Sequence, residues 1–168
     1  MDGTSLLVEL YGRFPALARQ AIEGLNREQT MSQPAPAANS IAWLVWHAAR
    51  VQDHHVAEIL DARQVWLDGT WAERFGLEPD ASNTGYGHSP ADVRAVMPVQ
   101  PSDLVDYLDT VQERTTTWLR ALAPEDLDRI VDHRFEPPVT MGVRLVSIAD
   151  DTLQHLGQAA YLRGLLGH

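Results

Sequence analysis

Cysteine is absent from the 168-residue chain, which excludes disulfide frameworks, thiolate-ligated zinc and any cysteine nucleophile. Thiol chemistry in this protein would have to use a thiol brought from outside. A cysteine-free chain is also indifferent to redox poise, so the absence does not fix a compartment. Positive charge is scarce as well: 13 Lys plus Arg stand against 23 Asp plus Glu, a net charge of −10. Such an excess of acid disfavours a phosphate backbone or an anionic membrane surface as the main partner. No uninterrupted apolar run approaches a membrane span, and no charged-then-apolar leader opens the chain. The expectation is a soluble, cytoplasmic protein acting on a small molecule, with neither nucleic acid nor membrane as partner.

Hydrophobic residues make up 45% and charged residues 21%, a globular composition long enough to bury one core. Residues 1–168 are therefore expected to form one domain. Thr4 or Ser5 is placed to cap a first helix carrying Leu7, Leu10, Phe14, Leu17 and Ala21 at helical spacing, with a kink or break near Phe14 because Pro15 removes a backbone donor. That helix should stop near Gly24. Asn26 to Ala38, with Pro34 and Pro36, reads as an extended connection. Asn39 or Ser40 caps a second helix to about Leu60, and Ser102 or Asp103 a third through Leu122. Between them, Asp61 to about Gln100 is a long crossover with short helical turns near Trp71 to Phe75 and Pro90 to Val96. An extended Ile130 to Thr140 precedes a final helix from Met141 to Leu166. The layout is an all-α four-helix bundle built as two helix pairs joined by the crossover.

The final helix carries an apolar seam at steps of 3 and 4: Met141, Leu145, Ile148, Asp151, His155, Gln158, Leu162, Leu165. On a helix surface an Asp and a His four apart are an ordinary solvated pair. In the seam they point inward one turn apart, where an unpartnered carboxylate is expensive and where helical bundles assemble metal sites. The second helix holds an equivalent place in the other half of the chain, so its His47 is the histidine expected to face Asp151 and His155. Taken alone, His47 beside Trp43 and Trp46 is an ordinary buried histidine; the conjunction makes it a ligand. Two imidazoles and one carboxylate form a three-ligand site with positions left open, the catalytic pattern of zinc. His54, about 10 Å along the same helix line, suits a pocket acid or base. Trp71 and Tyr86 in the crossover either staple it to the bundle or line a cofactor or substrate pocket. His88, His133 and His168 fall in expected loops or at the end and read as solvated.

The stretches NSIAWLVWHAARVQDHH around His47 and DDTLQHLGQAAYLRG around His155, with GYGHSP in the crossover and YLRG near the end, resemble the DinB superfamily of helical bundles. The likeness is to its branch related to mycothiol-dependent transferases and maleylpyruvate isomerases, and it spans nearly the whole chain. It implies an up-down-down-up bundle, a homodimer, and a divalent metal, zinc or nickel, held by one histidine of helix two and an H-x-x-x-H pair of helix four. Here Asp151 stands first in that pair. An anionic ligand in that place lowers the net charge of the site and makes a bound water or thiol less acidic.

By this resemblance the chain is a metal-dependent, thiol-using S-transferase or isomerase, in which a metal-activated low-molecular-weight thiol attacks a small electrophile. His54 or Gln158 would position the second reactant. Two alternatives stay open: a metal-assisted hydrolase, and a non-catalytic bundle that binds a small ligand and uses its polar seam residues only to fix helix register.

Overall fold

The computed structural model describes residues 1–167; the terminal His168, read above as solvated, lies outside the described residues. The first helical stretch is split in two, α1 (Gly3–Tyr11) and α2 (Phe14–Ile22), with Pro15 in the first turn of the second segment. There its missing N–H costs nothing, because the first-turn donors have no partner within the helix anyway. The α1 cap is Asp2, not Thr4 or Ser5: its carboxylate accepts from the Ser5 backbone N–H at 2.8 Å. The connection after Gly24 is not wholly extended either. Asn26 and Gln29 exchange side-chain and backbone hydrogen bonds in a capping box that starts a five-residue helix, α3 (Arg27–Met31).

Helix α4 (Ile41–Leu60) begins as expected at Ser40, whose hydroxyl accepts from the Trp43 backbone N–H at 3.1 Å. The crossover holds a 3-10 turn at Val65–Leu67 and two short helices, α5 (Trp71–Arg74) and α6 (Pro90–Ala95), close to the turns anticipated there. Helix α7 (Ser102–Leu119) starts after Pro101 with no side-chain cap. Asp103 is engaged elsewhere, accepting from the backbone N–H of Gln100 and from the Arg74 guanidinium. Strands β1 (Ile130–Asp132) and β2 (Val139–Thr140) pair antiparallel and lead into α8 (Met141–Leu165).

The protein is mostly helical and its core lies between the long helices. Helix α8 packs most extensively on α4 and then on α2, while α7 closes the other side of both. Tyr11, Phe14, Trp46, Leu104, Leu108, Met141 and Leu145 are buried there, each contributing about 1.5–3 kcal/mol of transfer free energy. The buried Tyr11 hydroxyl donates to the Leu145 carbonyl at 2.7 Å, giving a polar atom in the core its partner.

The seam on α8 is not the straight line read from the sequence. In its second half the buried positions are Thr152, Leu156, Ala159 and Leu162; Gln158 and Leu165 are exposed, and Asp151 and His155 sit half-buried at the edge of the core. A 3-4 repeat drifts by about 20° per heptad on a straight helix. The seam therefore strays from the buried stripe, which after Ile148 runs through Thr152, Leu156, Ala159 and Leu162, and Asp151 and His155 fall at its rim.

The crossover is tied down by one buried guanidinium. Arg50 is fully buried, and all five of its N–H groups are used: on the carbonyls of Ala81 and Asn83, on Gln64 Oε1, on the Asp53 carboxylate and on the Tyr107 hydroxyl. Asp53 in turn accepts the backbone N–H groups of Val65 and Trp66 at 2.9 and 2.8 Å. A fully satisfied buried network of this kind fixes a unique path for a segment with little regular structure of its own.

Candidate metal centre

His47 reaches the rim from α4, and Asp151 and His155 reach it from α8, so that their ligand-capable atoms lie within 4.8 Å of one another. His47 Nε2 is 3.9 Å and His155 Nε2 3.5 Å from the same Asp151 oxygen, Oδ1. Trp43 sets the ring angles. It stacks on His47 with centroids 4.5 Å apart and meets His155 edge-on at 5.8 Å.

Hydrogen bonds on the far side of each ring decide which nitrogen faces the cluster. His47 Nδ1 lies 2.5 Å from the Thr84 carbonyl, which only accepts, so Nδ1 carries the hydrogen and Nε2 keeps its lone pair. His155 Nδ1 has Gln158 Oε1 at 3.0 Å and takes the same form. Two Nε2 lone pairs and a carboxylate therefore converge. Asp151 Oδ2 is buried with no hydrogen-bond partner, an expensive condition for a carboxylate oxygen. These donors fit a divalent cation, with each imidazole oriented from behind as metal-ligating histidines usually are.

Burial pushes the His47 pKa down, outweighing the opposing pull of the Thr84 carbonyl and Asp151. At His155 burial also works against the charged form. Hydrogen bonding to Asp151 and Gln158 and the Asp151 charge outweigh it and leave the pKa raised. Without an ion, a proton on His155 is thus the natural counter-charge to Asp151.

A cavity of about 290 Å³ opens beside the cluster. His47, Asp151 and Thr84 wall one part of it, and His54 and His55, two turns along α4, wall another. Tyr86, 93% exposed as a residue, also lines it. Trp71 is not among its lining residues: it packs on Tyr107 at 5.3 Å and beneath the Arg74 guanidinium at 4.5 Å, stapling α5 to α7. Gln158 is not in this cavity either. It stands behind His155, on a separate shallow hollow with Tyr161 and Leu162. His54, His55 and Glu58 form a second cluster, whose Glu58 is within 3.5 Å of the Arg134 guanidinium.

His133 is exposed, as expected. His88 is not simply solvated: its Nδ1 accepts from the Trp43 indole at 3.1 Å, and its Nε2 meets Asn83 Oδ1 at 2.8 Å. Burial pushes its pKa down, against Asp92. It braces Trp43, and through Trp43 the His47 ring. Gly85 is a second contributor that periodicity does not find. Its φ is +95°, and its bare Cα lets the crossover backbone approach His47. The only sequence signal for it is the GYG in the crossover.

The profile of the DinB superfamily matches residues 10–159. The crystal structure of a conserved protein from Enterococcus faecalis is similar over its whole length, with 31% identity, a TM-score of 0.91, and coverage of 100% of this chain and 99% of the other. No curated protein matches. With a family profile spanning most of the sequence and a whole-length structural relative beside it, the chain belongs to the DinB superfamily.

Proposed function

We propose that the protein is a divalent-metal-dependent enzyme, a thiol-using S-transferase or isomerase acting on a small electrophile, with His47, Asp151 and His155 as the metal ligands. The observation that carries this reading is the convergence, beside a cavity, of two oriented Nε2 lone pairs on the Asp151 carboxylate, whose other oxygen is buried without a partner. Zinc and nickel both suit an imidazole-rich site. A bound ion supplies Lewis acidity and lowers the pKa of a thiol held on it. The residues do the rest: Thr84 and Gln158 hold the two rings in register, Trp43 fixes their angles, and Asp151 brings one negative charge to the site. Since the chain has no cysteine, no protein thiol would compete with a small-molecule thiol for a bound ion.

We also read α1 and α2 as one bent helix, so that with α4, α7 and α8 the frame is an up-down-down-up four-helix bundle forming one domain. The working form we propose is a homodimer. Val143, Val146, Leu153 and Tyr161 lie exposed along one face of α8, and an apolar stripe of this kind supports a protein interface.

Titration of zinc, nickel and manganese into chelator-stripped, untagged protein tests the metal site. One equivalent is expected to bind tightly to the wild type and weakly to the His47→Ala, His155→Ala double variant. Equal affinity in both sinks the assignment. Assays pairing low-molecular-weight thiols with an electrophile then test the reaction, which should vanish in the stripped enzyme and return with the ion.

A further inference from the structure

The histidines that line the cavity present opposite chemistry. His54 Nδ1 lies 3.1 Å from Gln64 Nε2, and the direction of that bond is set without reference to the imidazole. Gln64 Oε1 sits 3.0 Å from Arg50 Nη2, which can only donate; Gln64 Nε2 sits 3.2 Å from the Ala81 carbonyl, which can only accept. The two partners agree on which end of the amide is nitrogen, so its remaining N–H must go to His54 Nδ1. That nitrogen accepts, and the His54 hydrogen is on Nε2. Among the described residues no protein group is bonded to that Nε2. Arg50 has no freedom to reverse the arrangement, being fully buried with every N–H engaged.

We propose that Arg50 and Gln64 hold His54 as a hydrogen-bond donor in the cavity wall, and that His54 recognises an acceptor oxygen, carbonyl or carboxylate, on the small-molecule substrate. The functional sense rests on the metal reading above: His47 and His155 turn lone pairs toward a cation, while His54, seven residues beyond His47 and about 10 Å along the axis, offers an N–H. A substrate that reaches from one to the other is a short molecule with its reacting atom at one end and an oxygen a few bonds away. His54 is then a binding group and not a general base, since the nitrogen with the lone pair is tied to Gln64. Gln64 is a positioning residue that acts through it. The second cluster is not a metal site on this reading, because His54 Nδ1 is occupied and Arg134 sits on Glu58.

The test uses metal-free protein, so its failure and that of the metal assignment are separable. In nitrogen-15 spectra of the histidine rings at alkaline pH, His54 is expected to show the hydrogen on Nε2, whereas His47 and His155 show it on Nδ1. A His54 hydrogen on Nδ1 in the wild type overturns the proposal whatever the variants do. Acetate, as the acceptor probe, should shift the His54 Nε2 resonance saturably. Affinity for acetate should fall about fivefold, the worth of one hydrogen bond, in His54→Phe and in Gln64→Glu, whose carboxylate moves the ring hydrogen to Nδ1. His54→Gln, which keeps an N–H, should restore part of it. Absence of a saturable shift in the wild type, or equal acetate binding in His54→Phe, removes the recognition role.

Discussion

A methyl group at position 85 would lie 2.7 Å from Nδ1 of His47 and about as close as 3.0 and 3.1 Å to the Trp46 and Trp43 rings, on a residue whose φ is +95°. Gly85→Ala is therefore expected to do two things at once. It strains the backbone, at roughly 1–3 kcal/mol, and it pushes the Thr84 carbonyl off His47, freeing the ring to turn. Losing the partner behind a metal-ligating histidine costs about 10–100-fold in affinity, so zinc titration should show a fall of that size alongside a lowered denaturation midpoint. Gly87 is the control. Its φ is +74°, but nothing lies within 4 Å of an added Cβ, so Gly87→Ala should show the backbone strain and leave metal affinity unchanged. Equal effects at both positions would mean that Gly85 serves the turn and not His47.

At the scale of elements, Asp132 joins the β1–β2 ribbon to α8. Its carboxylate accepts from the backbone and side chain of Arg134 and, at 2.6 Å, from Arg144 on the first turns of α8. The side-chain hydrogen bonds from Arg134 come first among the causes that hold its pKa well below the usual carboxylate range. A group whose folded pKa is depressed stabilises the fold above its unfolded value, and that contribution is lost as pH falls toward the folded one. As pH falls below the ordinary carboxylate range, Asp132→Asn should lose less stability than the wild type; parallel acid-unfolding curves would show that the pair is screened by solvent. Much at this scale was legible from local chemistry. Ser40 reads as the α4 cap, Pro15 marks the break between α1 and α2, and the turns at α5 and α6 fall near their expected places. The Asn26 and Gln29 capping box is also a local signal, hidden in a stretch dominated by Pro34 and Pro36. The seam on α8 departs from the buried stripe after Ile148, because a 3-4 repeat drifts on a straight helix and the stripe passes instead through Thr152, Leu156 and Ala159, meeting the seam again at Leu162. Nothing local could announce Arg50 or Gln64: their roles depend on where residues 81–83 return to α4, and the packing of the whole crossover sets that.

For the molecule as a whole, two measurements bear on assembly and on linkage. If the exposed stripe of Val143, Val146, Leu153 and Tyr161 on α8 is covered by a second copy, sedimentation at micromolar protein gives twice the monomer mass, and Val146→Glu gives the monomer; a wild-type monomer refutes the dimer. On the proposed ligand set, stability and metal are linked through Asp151. In the stripped protein its Oδ2 is buried without a partner, so replacing the side chain by leucine removes an unsatisfied group, and the structural gain can reach roughly 1–3 kcal/mol. Opposing this, Asp151 supports a proton on His155, whose raised pKa means that the pair stabilises the fold at pH below the ordinary histidine value and loses that contribution as pH rises through the folded one. Above that point the stripped Asp151→Leu variant should be no less stable than the stripped wild type, and in mild acid the difference should shrink or reverse. Added ion changes the comparison. A ligand that binds only the folded state stabilises it by RT ln(1 + [M]/Kd), about 2.7 kcal/mol at a hundredfold excess over Kd. The wild-type unfolding midpoint should therefore rise with zinc and that of Asp151→Leu should not, although the variant starts at least as stable. Equal zinc-induced shifts in the two proteins would take Asp151 out of the site and leave His47 and His155 to hold the ion with solvent.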